Sequence, residues 1–527
     1  MYANTTGLYN TAVGNSAMGS NISGYFNCAL GYSALGSNSS GHDNTAMGLA
    51  ALQANTGNNN TAMGSRSLQS NTSGQQNTAN GYASLYTNTT GSYNAAHGTA
   101  ALNSNTSGSY NTATGGYAMY LNTTGGTNTA TGYNALYANT SGESNTATGY
   151  ISLSNNTTGF NNTASGYASL YNNTTGINNT ASGIYALVTN TSGNRNTASG
   201  YGALYSNTTG NDNSAYGIST LFSNTDGGGN TAIGSYSLFS NNIIGGGNTA
   251  IGNHALYTKN VGSANTAIGN FALYSFIGNG TLDPPNTAIG SASLYNTTTG
   301  NGNVAIGENA LWGNTSGILN TAVGRLGLVT NNTGSLNTSL GYDADVSTAN
   351  LSNATAIGAQ AITNASNKVV IGQNIGGMVI GGYVNWSNLS DGRFKENIKE
   401  DVPGLDFITK LRPVTYTINI KKLDEHIMQM MPDSIKQKRM KTAESYNKAA
   451  GFIQTGFIAQ EVEKVVLELG YHFDGVNAPQ NNTDTYSISY SQFVMPLVKA
   501  IQEQQLQIEA LKKENAAIKK ILSQIKF

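Results

Sequence analysis

The chain has 527 residues, and its 24 Lys and Arg against 25 Asp and Glu give a formal net charge of -1. That balance gives no electrostatic reason for binding nucleic acid or a membrane surface, and the length allows several domains. With 65 Gly, 7 Pro and one cysteine, Cys28, the chain is rich in tight turns and cannot form an intrachain disulfide.

No apolar run is long enough to cross a bilayer, and no secretory leader opens the sequence. The first residues, Met1-Tyr2-Ala3-Asn4-Thr5-Thr6-Gly7, match the second half of a repeat seen at Tyr137-Ala138-Asn139-Thr140-Ser141-Gly142. The expectation is a chain that starts in mid-repeat, with any export signal or anchor lying upstream. Charge is unevenly spread. Residues 1–389 carry 5 basic and 8 acidic residues, and the remaining 138 carry 19 and 17. This step marks a domain boundary.

Residues 1–358 are an array whose unit runs Asn-Thr-Ala-x-Gly-x-x-Ala-Leu-x-x-Asn-Thr-Thr-Gly-x-x. Its opening Asn recurs from Asn10, Asn27 and Asn44 through Asn303, Asn320 and Asn337, mostly 17 residues apart. The longest gap, Asn265 to Asn286, carries an insertion around Thr281-Leu282-Asp283-Pro284-Pro285. A final, degenerate copy is Ala354-Thr355-Ala356-Ile357-Gly358. A period this short holds no helix pair, and its Gly and Asn break any single helix. It fits one coil of a solenoid with two short strands, Thr-Ala-x and Ala-Leu-x-x, and two turns. Alternation sets Ala12 and Val13 on opposite faces. Asn at one register predicts a hydrogen-bonded ladder.

The residue after Ala is polar in middle copies (Thr114, Thr131, Ser165) and apolar later (Ile233, Ile251, Ile268, Ile289, Ile306). This position is read as drier toward the C-terminal side, where chains pack together. A lone coil buries little, which predicts a homotrimer sharing its core. Paired tyrosines (Tyr82 and Tyr86, Tyr133 and Tyr137, Tyr167 and Tyr171) suggest a carbohydrate strip or, the reading preferred, cross-rung stacking. The array looks like the β-roll head repeats of trimeric autotransporter adhesins. Some twenty rungs at about 4.8 Å each give a rod on the order of 100 Å.

Residues 359–389 read as a β connector, from Lys368-Val369-Val370-Ile371-Gly372 and Met378-Val379-Ile380. At the seam stands Ser390-Asp391-Gly392-Arg393-Phe394-Lys395-Glu396-Asn397-Ile398. Asp391-Gly392 favours a turn that brings Ser390 and Lys395 together. The stretch resembles the start of the intramolecular chaperone domain of phage tailspikes and endosialidases, the S74 peptidase family. That family's pattern, Ser-Asp-x-Arg-x-Lys-x-x-Ile, is met at every defined position. The resemblance implies a self-cleaving dyad of Ser390 and Lys395 that cuts between Leu389 and Ser390. Asp391 and Arg393 read as supporting groups. A basic lysine has to be neutral to take the serine proton, yet a free one titrates near pH 10.4. Burial or the charge of Arg393 is expected to shift it.

Further along, Val414, Tyr416, Ile418 and Ile420 alternate as a strand. Residues 421–450 read as a variable helical insertion. Gly456-Phe457-Ile458-Ala459-Gln460-Glu461-Val462 leads into a helix ending near Gly470, and Tyr486–Tyr490 reads as a short strand. The resemblance covers most of residues 390–510. His472 is the alternative base, and reads better as a surface histidine. From Leu497, apolar residues at Ile501, Ile508, Leu511, Ile518, Leu522 and Ile525, completed by Gln504 and Asn515, follow a 4-3 spacing. That is a coiled-coil seam, with Asn515 fixing register.

The predicted protein is mainly β. A homotrimeric parallel β-solenoid or β-roll fibre (1–358, connector 359–389) precedes an α+β chaperone (390–496) and a coiled-coil helix (497–527). Its expected activity is one self-cleavage, with no external substrate, cofactor or metal. Its expected partners are two further copies of itself and a host-surface or glycan receptor, with no nucleic acid and no membrane insertion. A phage tail or an extracellular surface is the expected setting. The rival is a trimeric adhesin that does not cleave. A polysaccharide-cutting enzyme finds no paired carboxylates in the array, and a membrane-anchored transcription factor finds no DNA-binding or spanning segment.

Overall fold

A computed structural model describes residues 3–240, 245–258, 262–278, 284–373, 390–440 and 442–525. The insertion residues Thr281, Leu282 and Asp283, the Met378-Val379-Ile380 signal and Leu389 lie outside the described residues. The repeat array is a parallel β-solenoid of about 21 turns. Two compact units, Met1–Thr333 and Gly334–Phe527, make up the chain.

In the first unit each coil contributes one three-residue strand, such as Thr146–Thr148 and Thr163–Ser165. Neighbouring strands pair in parallel and in register, so Ala147 lies beside Ala164 and Ala164 beside Ala181. The pleat turns each Ala inward, where it is buried, and leaves Thr148 and Ser165 exposed.

The second strand expected at Ala-Leu-x-x does not form in this unit. That segment is a run of turns in which Leu itself takes a left-handed conformation, as at Leu153 and Leu170, both with φ 51°. Such a backbone costs a non-glycine residue about 1–2 kcal/mol. Burying a whole Leu side chain returns about 1.5–3 kcal/mol, and both leucines are fully buried. Their amides bond to the next coil, Leu153 N to Ser169 O at 2.9 Å and Leu170 N to Ala186 O at 3.0 Å. Glycine is required at the corner after each strand. Gly149 has φ 131°, and an added Cβ there would stand 2.5 Å from the Gly166 carbonyl oxygen.

Two asparagine ladders run through the interior. The opening Asn of each coil accepts from the backbone of the next, as Asn162 N donates to Asn145 Oδ1 at 3.0 Å. It also donates forward, from Asn145 Nδ2 to Gly159 O at 2.9 Å. The second ladder links the Asn of Asn-Thr-Thr-Gly, with Asn156 Nδ2 to Asn139 Oδ1 and Asn173 Nδ2 to Asn156 Oδ1 both 2.8 Å. These amides are fully buried, like the Ala and Leu beside them. The interior therefore closes within one chain. No sharing of a core between chains is needed to bury it, which corrects the expectation from coil thinness.

The position after Ala faces outward. Ile233 and Ile306 are exposed, and Ile251, Ile268 and Ile289 are half-buried on the outer face of the sheet. Tyrosines stack from coil to coil. Tyr150 lies between Tyr133 and Tyr167, 5.5 Å from each and within 14° of parallel. A second column runs Tyr205, Phe222, Phe239, Tyr257, Tyr274 and Tyr295 at 4.8–5.3 Å. The preferred reading, cross-rung stacking, is thus present in these two columns, while the outer parts of Tyr133, Tyr150 and Tyr167 stay exposed.

The second unit opens with further coils, whose strands Thr338–Leu340, Thr355–Ile357 and Val369–Ile371 pair in parallel. Here a second strand does form, Asp345–Val346 against Ile362–Thr363. The opening-Asn ladder ends at Ala354, whose amide bonds to Asn337 Oδ1 at 2.9 Å and which has no side-chain acceptor of its own. Beyond Ser390 come α1 (Leu405–Ile408), α2 (Ile420–Ile427), α3 (Asp433–Arg439), α4 (Ala443–Ala450), α5 (Ala459–Leu469) and α6 (Val494–Gln524). Two small antiparallel pairs, Val414–Tyr416 with Gln454–Gly456 and Val476–Asn477 with Ser487–Ile488, complete it. The strand expected to run through Ile420 is shorter than its alternation. Asn419 Oδ1 accepts from Lys422 N at 3.0 Å and caps α2, which turns Ile420 into a helical core residue. Gly470, at φ 60°, ends α5 as expected.

An aromatic core of Phe407, Phe473 and Phe493 with Val462 holds this part together. Glu503 on α6 accepts from Leu405 N at 2.8 Å and satisfies the start of α1. Past that contact α6 is bare, with Ile508, Leu511, Ile518 and Leu522 exposed; Leu497 and Ile501 before it are exposed too.

Candidate active site

The site is built by one short turn. Gly392–Phe394 is a single 3-10 turn, and Asp391 caps it by accepting from Arg393 N at 2.9 Å. Lys395 N closes the turn on Gly392 O at 3.3 Å. The chain thereby doubles back within five residues. Lys395 Nζ reaches Ser390 Oγ at 2.8 Å, as the Asp-Gly pair predicts.

Asp391 and Arg393 are engaged with each other. Arg393 Nη2 and Nε donate to Asp391 Oδ2 at 2.6 and 3.0 Å. The side-chain bond from Arg393, then the Arg393 amide, hold the Asp391 carboxyl below its usual range against a slight opposing effect of burial. Arg393 thus gives its amide, Nε and Nη2 to Asp391, and its guanidinium lies over the Phe394 ring, 5.6 Å from the centroid.

Solvent reaches the whole site. Ser390, Arg393 and Lys395 are exposed, and the Phe394 and Ile398 side chains are 70% and 75% exposed. The expected burial of Lys395 is absent from the single chain. Ile398 is the last defined position of the family pattern and Phe394 an undefined one; the exposed apolar pair they form was not anticipated. Their signal was there: two large apolar residues four apart in a stretch otherwise polar and charged. Leu389, on the far side of the expected cut, lies outside the described residues. His472 is exposed, consistent with a surface histidine.

The turn, its serine and its lysine stand at the first residues of a recognisable segment. Residues 390–471 match the family model Peptidase S74, chaperone of endosialidase. The S74 match begins at Ser390 itself and takes in α1 to α5, including the helices of 421–450. It ends short of α6, so the likeness is narrower than the expected reach to residue 510. No curated protein matches the chain. Among the described residues there is no cluster of acidic, His and Cys side chains arranged to hold a metal ion.

Proposed function

We propose that the chain is a trimeric fibre protein whose S74 segment serves as an intramolecular chaperone and then cuts itself from the fibre. The observation that carries the cleavage reading is the 2.8 Å contact of Lys395 Nζ with Ser390 Oγ at the first residue of the S74 match.

The chemistry is an acyl shift followed by hydrolysis. A neutral Lys395 amine takes the Ser390 hydroxyl proton as Oγ attacks the Leu389 carbonyl carbon. The C–N bond breaks, and the proton passes to the departing Ser390 amine. Leu389 is now held as an ester on Oγ. Water hydrolyses that ester, leaving a Leu389 carboxylate and a free Ser390 N-terminus. One molecule of water is consumed, and no other reactant is needed.

Exposure of the dyad in one chain fits a reaction gated by assembly. An amine in open water is mostly charged at neutral pH, whereas one walled off by apolar side chains favours the neutral form. Phe394 and Ile398, exposed apolar neighbours of Lys395 in sequence, are the side chains that would build such a wall when chains meet. The bare apolar seam of α6 and the outward Ile233–Ile306 stripe supply surfaces for that meeting. A host-surface or glycan receptor for the fibre, and a phage-tail or extracellular setting, complete the proposal.

Mass spectrometry of the purified full chain and of Ser390→Ala tests it. Wild type is expected as two fragments split after Leu389, with the variant intact and still oligomeric. An oligomeric wild type that stays whole for days rules out the peptidase and favours the non-cleaving adhesin.

A further inference from the structure

One interior position distinguishes the last full coil from all those before it. Eight residues after the opening Asn, every earlier coil carries Leu or Met, from Met18 and Leu35 to Leu311 and Leu328. Each of these side chains is buried. In the coil opening at Asn337 the residue is Asp345, and it too is 0% exposed. Here the backbone is the strand Asp345–Val346 rather than the left-handed turn of the leucines, and alternation turns Asp345 and Ser347 away from Ala344 and the apolar cluster it joins. A carboxylate buried on that face needs a counter-charge.

Arg439, the last residue of α3 in the S74 segment, supplies it. Its Nη2 donates to Asp345 Oδ2 at 3.1 Å, to Asp343 Oδ1 at 2.6 Å and to the Asp343 carbonyl at 3.0 Å. All three side chains are buried. Nε and Nη1 of Arg439 have no hydrogen-bond partner among the described residues. The two aspartates are therefore what anchors the guanidinium. The surrounding contacts are polar as well. Ser347 Oγ meets Thr483 Oγ1 at 3.2 Å, Asn364 Nδ2 donates to Thr483 O at 3.1 Å, and Lys368 Nζ donates to Asp484 Oδ1 at 2.9 Å.

We propose that Asp343 and Asp345 are an address that the S74 segment reads through Arg439. This rests on the chaperone reading of that segment. Near-identical coils offer many equivalent places to dock, and a repeat in which one coil resembles the next specifies register poorly. A buried ion pair contributes little to stability compared with a packed apolar pair, but it rejects a partner that lacks the matching charge. A slip of one coil would set Arg439 against Leu328, with its charge buried and unmatched. The address therefore fixes which coil is completed against the folded S74 segment.

The test uses the full chain carrying Ser390→Ala and Cys28→Ser, so that neither cleavage nor the native thiol interferes. Cysteines replace Ser347 and Thr483. Oxidation is expected to link 347 to 483 in most molecules. Adding Asp343→Leu with Asp345→Leu is expected to cut that yield at least tenfold, while circular dichroism stays that of a folded solenoid. If this variant aggregates, Asp343→Asn with Asp345→Asn, which removes both charges while keeping size and hydrogen-bonding groups, is expected to lower the link at least tenfold as well. An undiminished link in whichever of the two variants stays soluble overturns the address. Because Ser390 is already removed, either result is independent of whether the wild-type chain cleaves.

Discussion

The coils of the first unit and the helices that follow Ser390 solve the burial problem in opposite ways. A coil near Asn156 has every interior amide bonded to its neighbours and every Ala and Leu covered by its own chain. The α6 helix buries only Pro496 and Ala500 and leaves a long apolar seam in water. The first region is self-sufficient once formed but says nothing about where to start. The second leaves apolar side chains that its own chain does not cover. On the proposed function, the second region carries the instructions for assembly and the first the durability.

The largest break in this contrast should come from the seam. Ile508→Lys with Leu511→Lys places charges on it and should abolish oligomer formation by analytical ultracentrifugation. The solenoid's circular dichroism should persist in any chain that does fold. An unchanged oligomer would move the assembly surface elsewhere, with the Ile233–Ile306 stripe as the next candidate.

A smaller effect is expected from the ladder. Asn156→Ala removes the bonds to Asn139, Gly159 and Asn173. Each buried group left unpaired costs roughly 1–3 kcal/mol. Since each coil touches mainly its neighbours, the loss should stay local. Hydrogen exchange should quicken in the coils around residues 139–190 and remain slow beyond them. Gly149→Ala should act in the same place, through the clash with the Gly166 carbonyl.

The smallest effect concerns acid. Burial pushes the Asp484 carboxyl up, but bonds from the Gln480 and Thr485 amides and from Lys368 outweigh it and hold the group below its usual range. A folded value below the unfolded one means the stabilisation is complete above the ordinary carboxylate range. It drains away as pH falls through the lower, folded value. Wild type should therefore lose stability below about pH 4. Asp484→Asn should be less stable at neutral pH and less sensitive to acid, as read by denaturant titrations at the two pH values.

The period, the inward Ala, the Asn ladder and the serine–lysine turn were all legible in the residues, because each is a local rule repeated or a single tight loop. The missing second strand was not. Nothing in the letters Ala-Leu announces that Leu153 takes φ 51°, since that conformation is held by the coils on either side. Core sharing was inferred from scarce large apolar residues, and the inference overlooked how fully Asn145 and Asn156 occupy the interior. The strand through Ile420 failed because a cap, Asn419, overrode the alternation. Asp345 could have been found, since it is the one acid in a column of Leu and Met.

Ala354 closes a column of amides that otherwise passes the same bond from coil to coil. A stack governed by one rule has no intrinsic length, and any further copy obeying the rule could join it. Substituting a methyl group for the amide ends that column, yet the sheet runs on for one more coil, from Thr355–Ile357 to Val369–Ile371. What stops at residue 354 is a side-chain bond, while the backbone ladder carries the stack past it.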